Sequence, residues 1–196
     1  MSSEQSSESM RVAVLASGSG TILEAALAEG VPVEVVIVDR PCRATEIAEA
    51  AGIPNHLIER TTYGADFDRD GYTAEVIDVL RKYDVDLVMM AGYGTILAPA
   101  MFDAFAGHVI NTHPALLPSF KGWHAVQAAL DYGVKVTGCT VHVATAAVDE
   151  GPILAQHAVE VRPDDTVESL HERIKVVERE LYVRTILAIL ARGSVL

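Results

Sequence analysis

The sequence predicts an α/β fold: a mostly parallel sheet with helices on both faces and an antiparallel piece near the C-terminal part. In the first half, short β-branched runs alternate with helical patterns, which is typical of βαβ units. These runs are apolar throughout, as expected for strands that helices cover on both faces. After Pro118, two strand-like runs are joined by a loop too short for a helical crossover, which favours antiparallel pairing.

The elements of the first half follow one another with clear boundaries. An apolar run over 11–16 predicts a strand that ends at a glycine loop, Ser17-Gly18-Ser19-Gly20-Thr21. Helical periodicity follows over 22–29, and Gly52 and Pro54 close a second helix over 44–51. Further strands are predicted over 33–38, 55–58, 85–90 and 109–111, and further helices over 72–83 and 99–105.

The second half predicts a helix over 122–132, strands over 136–143 and 153–161, and a long amphipathic helix over 166–190. Asp164, Asp165 and Thr166 are the candidates for the N-terminal cap of this last helix. Because no internal repeat or domain boundary is visible, residues 11–196 are expected to form a single domain. Residues 1–10 are rich in Ser and Glu, without the apolar segment of a signal peptide, and are predicted to be a disordered tail.

Composition excludes several classes of partner. The chain has 196 residues and a formal net charge of −12, which argues against a nucleic-acid or anionic-membrane surface, because Lys and Arg hold such partners. No apolar run reaches the ~20 residues that span a bilayer. Cys42 and Cys139 have no CxxC partner, so neither a zinc site nor a disulfide is indicated. We therefore expect a cytoplasmic protein with reduced thiols.

The strongest chemical motif is Val109-Ile110-Asn111-Thr112-His113-Pro114-Ala115-Leu116-Leu117-Pro118. In an extended chain, residues two apart point to the same side, so Asn111 and His113 aim an amide and an imidazole at one point. An amide donor beside an imidazole can stabilise a developing oxyanion and transfer a proton. The alternative is a strand end with a hydrogen-bonded histidine and two loop prolines.

The glycine loop 17–21 lies between a strand and a helix and predicts a phosphate site, because free N–H groups at a helix N-terminus bind anions. It is not a dinucleotide fingerprint, since Leu23 occupies the position of the third glycine, and no Gly-Lys-Ser/Thr follows as in a P-loop. A monophosphate therefore fits better than a pyrophosphate. The alternative is a tight turn without a ligand.

Other candidate residues lie later in the chain. Asp149, in the loop between the late strands, can orient an imidazole or accept a proton from an amine, or it caps a turn. His142 lies in an apolar strand and is expected to be a buried support. Lys175 and Glu178 share a face of the last helix, where the alternative is a solvated charged surface. The glycine loop, the loop 91–97 and the Asn–His motif all follow strands, so we expect one site at the carboxyl edge of the sheet.

The Asn–His motif resembles the signature of the folate-dependent formyltransferases, an Asn-x-His-Pro-x-Leu-Leu-Pro segment with a downstream Asp-x-Gly. Here the segment is 111–118, Gly122 follows it, and Asp149-Glu150-Gly151 is the downstream motif. The glycine loop narrows the resemblance to the branch that formylates glycinamide ribonucleotide, the phosphoribosylglycinamide (GAR) formyltransferases. The resemblance covers about residues 11–190 and implies the Rossmann-like formyltransferase fold.

The resemblance implies transfer of a formyl group from 10-formyltetrahydrofolate, the co-substrate, to the amine of glycinamide ribonucleotide in purine biosynthesis, without a metal. The family's catalytic residues correspond to Asn111, His113 and Asp149, with His142 as support. In the implied mechanism, Asn111 and a charged His113 stabilise the tetrahedral oxyanion. Asp149 keeps His113 charged and helps to move protons from the amine to the leaving folate nitrogen.

The resemblance also implies which residues bind the substrates, both of which are small molecules. It further implies that the protein is a monomer or a homodimer. The N-terminal half would bind the nucleotide and the C-terminal half would form the folate side. The phosphate and nucleotide residues correspond to Gly18, Ser19, Gly20, Thr21, Ile22, Lys175 and Glu178. The folate residues correspond to Arg69, Tyr93, Gly94, Thr95, Ile96, Leu97, Ala144, Thr145, Ala146, Ala147 and Val148.

Two positions depart from the family pattern. Many members have Asn at the position of Ile22, so here backbone N–H groups, Thr21 and Lys175 are left to bind the phosphate. The usual Met-Arg pair of the folate loop is replaced by Gly94-Thr95, which removes a cation that would bind the folate carboxylates. Lys121, at a position where Pro is common, is a candidate replacement.

Other functions stay open at this point. One is a formyltransferase that acts on a nucleotide-linked amino sugar or on aminoacyl-tRNA, and another is a formyltetrahydrofolate deformylase. The tRNA enzyme usually has an added C-terminal domain and the deformylase an N-terminal regulatory domain, and we expect neither here. A nonenzymatic nucleotide-binding module is a further alternative, which the presence of Asn111, His113 and Asp149 disfavours.

Overall fold

The computed structural model describes residues 10–196, which contain seven strands and six helices. Residues 1–9, most of the predicted tail 1–10, lie outside the described residues, and Met10 packs against the core. The strands are β1 (Val12–Ala16), β2 (Val33–Val38), β3 (Asn55–Leu57), β4 (Leu87–Ala91), β5 (Val109–His113), β6 (Val136–Val143) and β7 (Ile153–Glu160). The helices are α1 (Thr21–Ala28), α2 (Arg43–Ala50), α3 (Arg69–Lys82), α4 (Pro99–Ala104), α5 (Ala125–Tyr132) and α6 (Val167–Arg192).

All seven strands form one sheet in the order β3-β2-β1-β4-β5-β6-β7. The pairs from β3 to β5 are parallel, whereas β6 is antiparallel to β5 and β7 is antiparallel to β6. The predicted α/β class with an antiparallel piece near the C-terminal part is therefore confirmed.

The apolar strands bury both of their faces, as the sequence pattern predicts. In β1, Val12, Val14 and Ala16 belong to one core cluster, while Ala13 and Leu15 belong to another, because successive side chains point to opposite faces. Helices α1, α2, α5 and α6 contribute to the first cluster, and α3 and α4 contribute to the second. The sheet is thus the middle layer of three.

The strand order places a crevice between β1 and β4. The chain moves outward from β1 to β2 and β3 and then returns to β4 on the other side of β1, so the loops that follow β1 and β4 diverge. In such sheets ligands bind at this switch point, beyond the carboxyl ends of the strands.

Some element boundaries differ from the prediction. Helix α3 begins at Arg69, three residues before the predicted start, because the Asp68 carboxylate caps it by accepting from the Gly71 N–H at 2.9 Å. Strand β5 continues to His113, two residues beyond the predicted end, through its pairing with β6. Of the three candidate caps of α6, Thr166 is the N-cap, since its hydroxyl accepts from the Ser169 N–H and Ser169 reciprocates.

The pairing of β6 with β7 depends on a glycine. A Cβ atom built on Gly138 would lie 1.9 Å from the His157 carbonyl oxygen of β7, which is backbone and cannot rotate away. We expect Gly138→Ala to lower the free energy of unfolding by about 3 kcal/mol, measured by urea denaturation. Gly64→Ala is the matched control, because no described atom lies within 4 Å of its Cβ position. Equal stability of the two variants would contradict this packing.

Candidate active site

A cavity of about 430 Å³ opens at the carboxyl edge of the sheet, where the strand order switches between β1 and β4. Most of its walls come from the loop after β1, the loop after β4, the end of β5, the β6–β7 connection and the first half of α6. Gly122 and Trp123, between β5 and α5, and Phe102 of α4 complete the lining. The sequence motifs at these ends, separated by up to about 160 residues, therefore share one site.

His113, the last residue of β5, is buried in the cavity wall with both ring nitrogens facing oxygen acceptors. Its Nε2 lies 2.7 Å from the Phe120 carbonyl oxygen, and its Nδ1 lies 3.4 Å from Asp149 Oδ2. Because a carbonyl oxygen can only accept, Nε2 carries a proton. The Asp149 carboxylate that faces Nδ1 is likewise an acceptor, so both ring nitrogens point at oxygen atoms of the protein.

Asp149 is buried, and its carboxylate is fixed by several contacts. The Gly122 N–H donates to Oδ2 at 2.8 Å, while Oδ1 lies 3.7 Å from His142 Nε2. Asp149 has φ of 58° and Phe120 has φ of 54°, both in the left-handed region that non-glycine residues rarely adopt. The two residues that contact the His113 ring are thus both held in unusual backbone conformations, a pattern that concentrates at functional sites.

Asn111 and His142 lie directly opposite each other in the β5–β6 pairing, and their side chains meet. His142 Nδ1 donates to the Val143 carbonyl oxygen at 3.0 Å, and burial lowers the pKa of His142, which favours the neutral ring. Its Nε2 is then an acceptor, 3.4 Å from Asn111 Nδ2. This contact orients the amide of Asn111 and leaves its second N–H available to a ligand in the cavity.

The loop after β4 is anchored to the end of β2 and to the glycine loop. The Thr95 hydroxyl donates to Asp39 Oδ2 at 2.9 Å, and the Gly94 N–H donates to Ser17 Oγ at 2.6 Å. Asp39 is fully buried and also accepts from Arg40 Nε at 3.2 Å. A side chain at Gly94 would meet Arg40, since its Cβ would lie 2.7 Å from Arg40 Nη2.

The opposite end of the cavity lies between the glycine loop and α6. Helix α1 begins at Thr21 after Gly20, whose φ is 67°, and no side chain among the described residues caps it. The first N–H groups of α1 are therefore free for an anion. On α6, the buried Glu178 accepts from the Thr112 hydroxyl at 2.9 Å, and burial raises the pKa of Glu178.

Comparison with known proteins identifies the family. A family model described as formyl transferase matches residues 10–186. The chain belongs to the formyl transferase family. The resemblance inferred from the Asn–His motif is therefore confirmed.

Two relatives and one solved structure match this formyl transferase over most of their own length. The chain is 45% identical over 188 residues to phosphoribosylglycinamide formyltransferase of Mycobacterium tuberculosis (strain ATCC 25618 / H37Rv), covering 93% of this chain and 86% of the relative. The enzyme of that name from Bacillus subtilis (strain 168) is 35% identical over 194 residues, covering 94% and 98%. A crystal structure of glycinamide ribonucleotide transformylase 1 from Symbiobacterium toebii has a TM-score of 0.86 and 42% identity, covering 94% and 89%.

The cavity of this formyl transferase contains most of the predicted site residues. Those that line it are Gly18, Ser19, Gly20, Thr21, Ile22, Tyr93, Thr95, Ile96, Leu97, Asn111, His113, His142, Ala144, Thr145, Ala146, Val148, Asp149, Lys175 and Glu178. Three predicted folate residues are not among the lining residues: Arg69, Gly94 and Ala147. Arg69 is the first residue of α3, Gly94 faces Arg40, and the Ala147 carbonyl oxygen is turned to the Thr145 hydroxyl.

Lys121, the candidate replacement for the cation predicted to be lost from the folate loop, forms an ion pair outside the cavity. Lys121 Nζ donates to Glu150 Oε1 at 2.8 Å, and Lys121 is not a lining residue of the cavity.

Sequence reasoning missed other lining residues, among them Trp123, His171 and Arg179. The available signal for the last two was their spacing of four residues on either side of Lys175.

Cys42 and Cys139 are free thiols, and burial raises the pKa of Cys139 to about 12. Within residues 10–196 no helix is long and apolar enough to cross a membrane. The same part of the chain contains no group of three or more His, Cys, Asp or Glu side chains suited to hold a metal ion.

Proposed function

We propose that the chain transfers a formyl group from 10-formyltetrahydrofolate to the amine of glycinamide ribonucleotide, a step of purine biosynthesis. The proposal rests above all on the placement of Asn111, the buried His113–Asp149 pair and a free helix N-terminus around one cavity. Relatives that carry this activity in their names support it. We place the reaction in the cytoplasm, with these two small molecules as substrates.

The two ends of the cavity differ in chemistry, and we assign one substrate to each. The glycine loop and the α6 residues Lys175 and Glu178 offer N–H donors, a cation and a carboxyl group, which suit the phosphate and ribose of the nucleotide. The loop after β4 and the 144–148 segment offer apolar side chains and backbone, which suit a flat heterocycle such as the pterin. The formyl carbon then lies between them, beside Asn111 and His113.

The proposed mechanism begins with attack of the amine nitrogen on the formyl carbon. A carbon–nitrogen bond forms, and the electron pair of the carbonyl bond moves to its oxygen. The remaining N–H of Asn111 and the imidazolium of His113 stabilise that oxyanion. Because both groups are fixed before the reaction, by His142 and by Phe120 and Asp149, little reorganisation is needed.

Collapse of the tetrahedral intermediate transfers the group. The bond between the carbon and the folate nitrogen breaks, and a proton lost by the attacking amine ends on that nitrogen. We assign this proton transfer to Asp149, whose carboxylate accepts the amine proton and passes it on; its position in the cavity wall supports the assignment. The products are the formylated amine and tetrahydrofolate.

A kinetic assay tests this proposal against its alternatives. The protein is incubated with a 10-formylfolate analogue, and release of the deformylated folate is followed by absorbance with glycinamide ribonucleotide, with a nucleotide-linked amino sugar, and without an amine. We expect release that saturates with glycinamide ribonucleotide and is absent otherwise. Release without any amine would identify a deformylase, and release with the amino sugar alone would identify the other transferase.

A further inference from the structure

Three basic side chains form a row along α6. His171, Lys175 and Arg179 are four residues apart, lie on one face of the helix and all line the cavity. With a rise of 1.5 Å per residue, four residues span about 6 Å, so the row is about 12 Å long. All three side chains are half-buried.

The row extends from the sheet edge into the open part of the site. Tyr182 lies beneath the sheet and donates to the Ile110 carbonyl oxygen at 2.6 Å, and one turn earlier Glu178 bonds Thr112 near the end of β5. The helix therefore leaves the sheet at about this point. Its earlier residues, including His171 and Lys175, stand beyond the carboxyl edge, where they line the same cavity as the glycine loop.

The row is not fully neutralised, although the chain is acidic overall with a formal net charge of −12. Lys175 donates to Glu172 at 2.8 Å, but Arg179 has no salt-bridge partner among residues 10–196. Burial and the neighbouring Lys175 lower the pKa of His171, whereas the neighbouring Glu172 raises it to a smaller extent.

The glycine loop has no positively charged side chain, whereas the row of basic residues on α6 does. Ile22 lines the cavity in the first turn of α1 and its side chain offers no hydrogen bond, so the loop presents backbone N–H groups and the hydroxyls of Ser19 and Thr21, without a charged side chain. Partial charges of a helix terminus stabilise an anion only modestly compared with a full positive charge held nearby. A doubly charged phosphate bound at the loop therefore needs cations from the facing wall.

We propose that His171 and Arg179 are binding residues for the phosphate monoester of the amine substrate, acting with Lys175 across from the glycine loop. They supply the contact that Ile22 cannot make, and they make the site selective for phosphorylated amines. This inference rests on the proposed function for the identity of the substrate, but the binding of a phosphate monoester is tested without catalysis.

The probe is ribose 5-phosphate, whose binding is titrated by ³¹P NMR. We expect Arg179→Gln to weaken its binding about tenfold, since a charge-assisted hydrogen bond is lost. His171→Gln should weaken it only about threefold, because the pKa of His171 is lowered in the empty site and the ring becomes charged only when the phosphate anion is bound beside it. Arg184→Gln is the matched control, because Arg184 is exposed on α6 but lines a groove outside the active site. It should bind like the wild type, and all three variants should retain the wild-type KM for the formylfolate.

The outcomes separate this inference from the proposed function. Wild-type protein that binds ribose 5-phosphate through the row, but does not formylate glycinamide ribonucleotide, would support the inference and refute the function. Unchanged ribose 5-phosphate affinity in both row variants would overturn the inference while leaving the function intact. Equal weakening of ribose 5-phosphate and formylfolate binding would also overturn it, because it would indicate a structural effect.

Discussion

We expect Asp149→Asn to lower kcat about a thousandfold with little change in either KM, the range that loss of a positioned acid–base group produces. Asparagine has the same size, and its amide oxygen can still accept from the Gly122 N–H. It removes the negative charge 3.4 Å from His113 Nδ1 and, with it, the carboxylate that we propose accepts the amine proton. The variant therefore loses stabilisation of the transition state, whereas its affinity for the substrates is retained.

The neighbouring carboxylate provides the control for this variant. Glu150 follows Asp149 in the same loop, but its side chain is exposed and pairs with Lys121 at 2.8 Å. Glu150→Gln should therefore retain nearly full kcat. A kcat of Asp149→Asn within tenfold of the wild type would show that the carboxylate is not needed for transfer.

Asn111→Ala is expected to lower kcat by about a hundredfold to a thousandfold, as removal of one oxyanion donor does in other enzymes. The amide is oriented by His142 Nε2 at 3.4 Å, so His142→Asn should show a smaller loss that acts through Asn111. In that case, adding His142→Asn to Asn111→Ala should lower kcat little further, since the effects of residues that act as a unit are not additive. Additive losses in steady-state kinetics would show that the two side chains act independently.

The sequence alone predicts those parts of the site that lie on one strand. Asn111 and His113 are two residues apart on β5, and both line the cavity as period-two geometry requires. The glycine loop was predictable for the same reason, because a strand, a glycine pair and a helix are consecutive in sequence. The carboxyl-edge rule then predicts that these motifs lie close together, and all of them line the same cavity.

Partners from distant strands are not predictable in this way. His142 meets Asn111 only because the β5–β6 register sets them opposite each other, and a shift of one residue would have turned His142 to the other face. The Phe120 carbonyl contacts His113 because Phe120 adopts a positive φ, which its residue type does not indicate. Asp149 was assigned through the family resemblance and not through spacing.

The folate loop shows how a departure from the family pattern acquires a structural reason. From the sequence, Gly94-Thr95 appears only as the loss of a cation. In the structure Thr95 bonds the buried Asp39, 56 residues earlier, and Arg40 occupies the space beside Gly94. No local pattern connects positions so far apart in the sequence.

Following the formyl group itself tests the proposed transfer most directly. The donor is prepared with a ¹³C-labelled formyl group and mixed with the protein and glycinamide ribonucleotide, and ¹³C NMR records where the label goes. We predict that the signal passes from the folate to the formylated amine at a rate set by the protein, with no free formate. Appearance of the label as formate, with or without the ribonucleotide, would contradict transfer through the site formed by Asn111, His113 and Asp149.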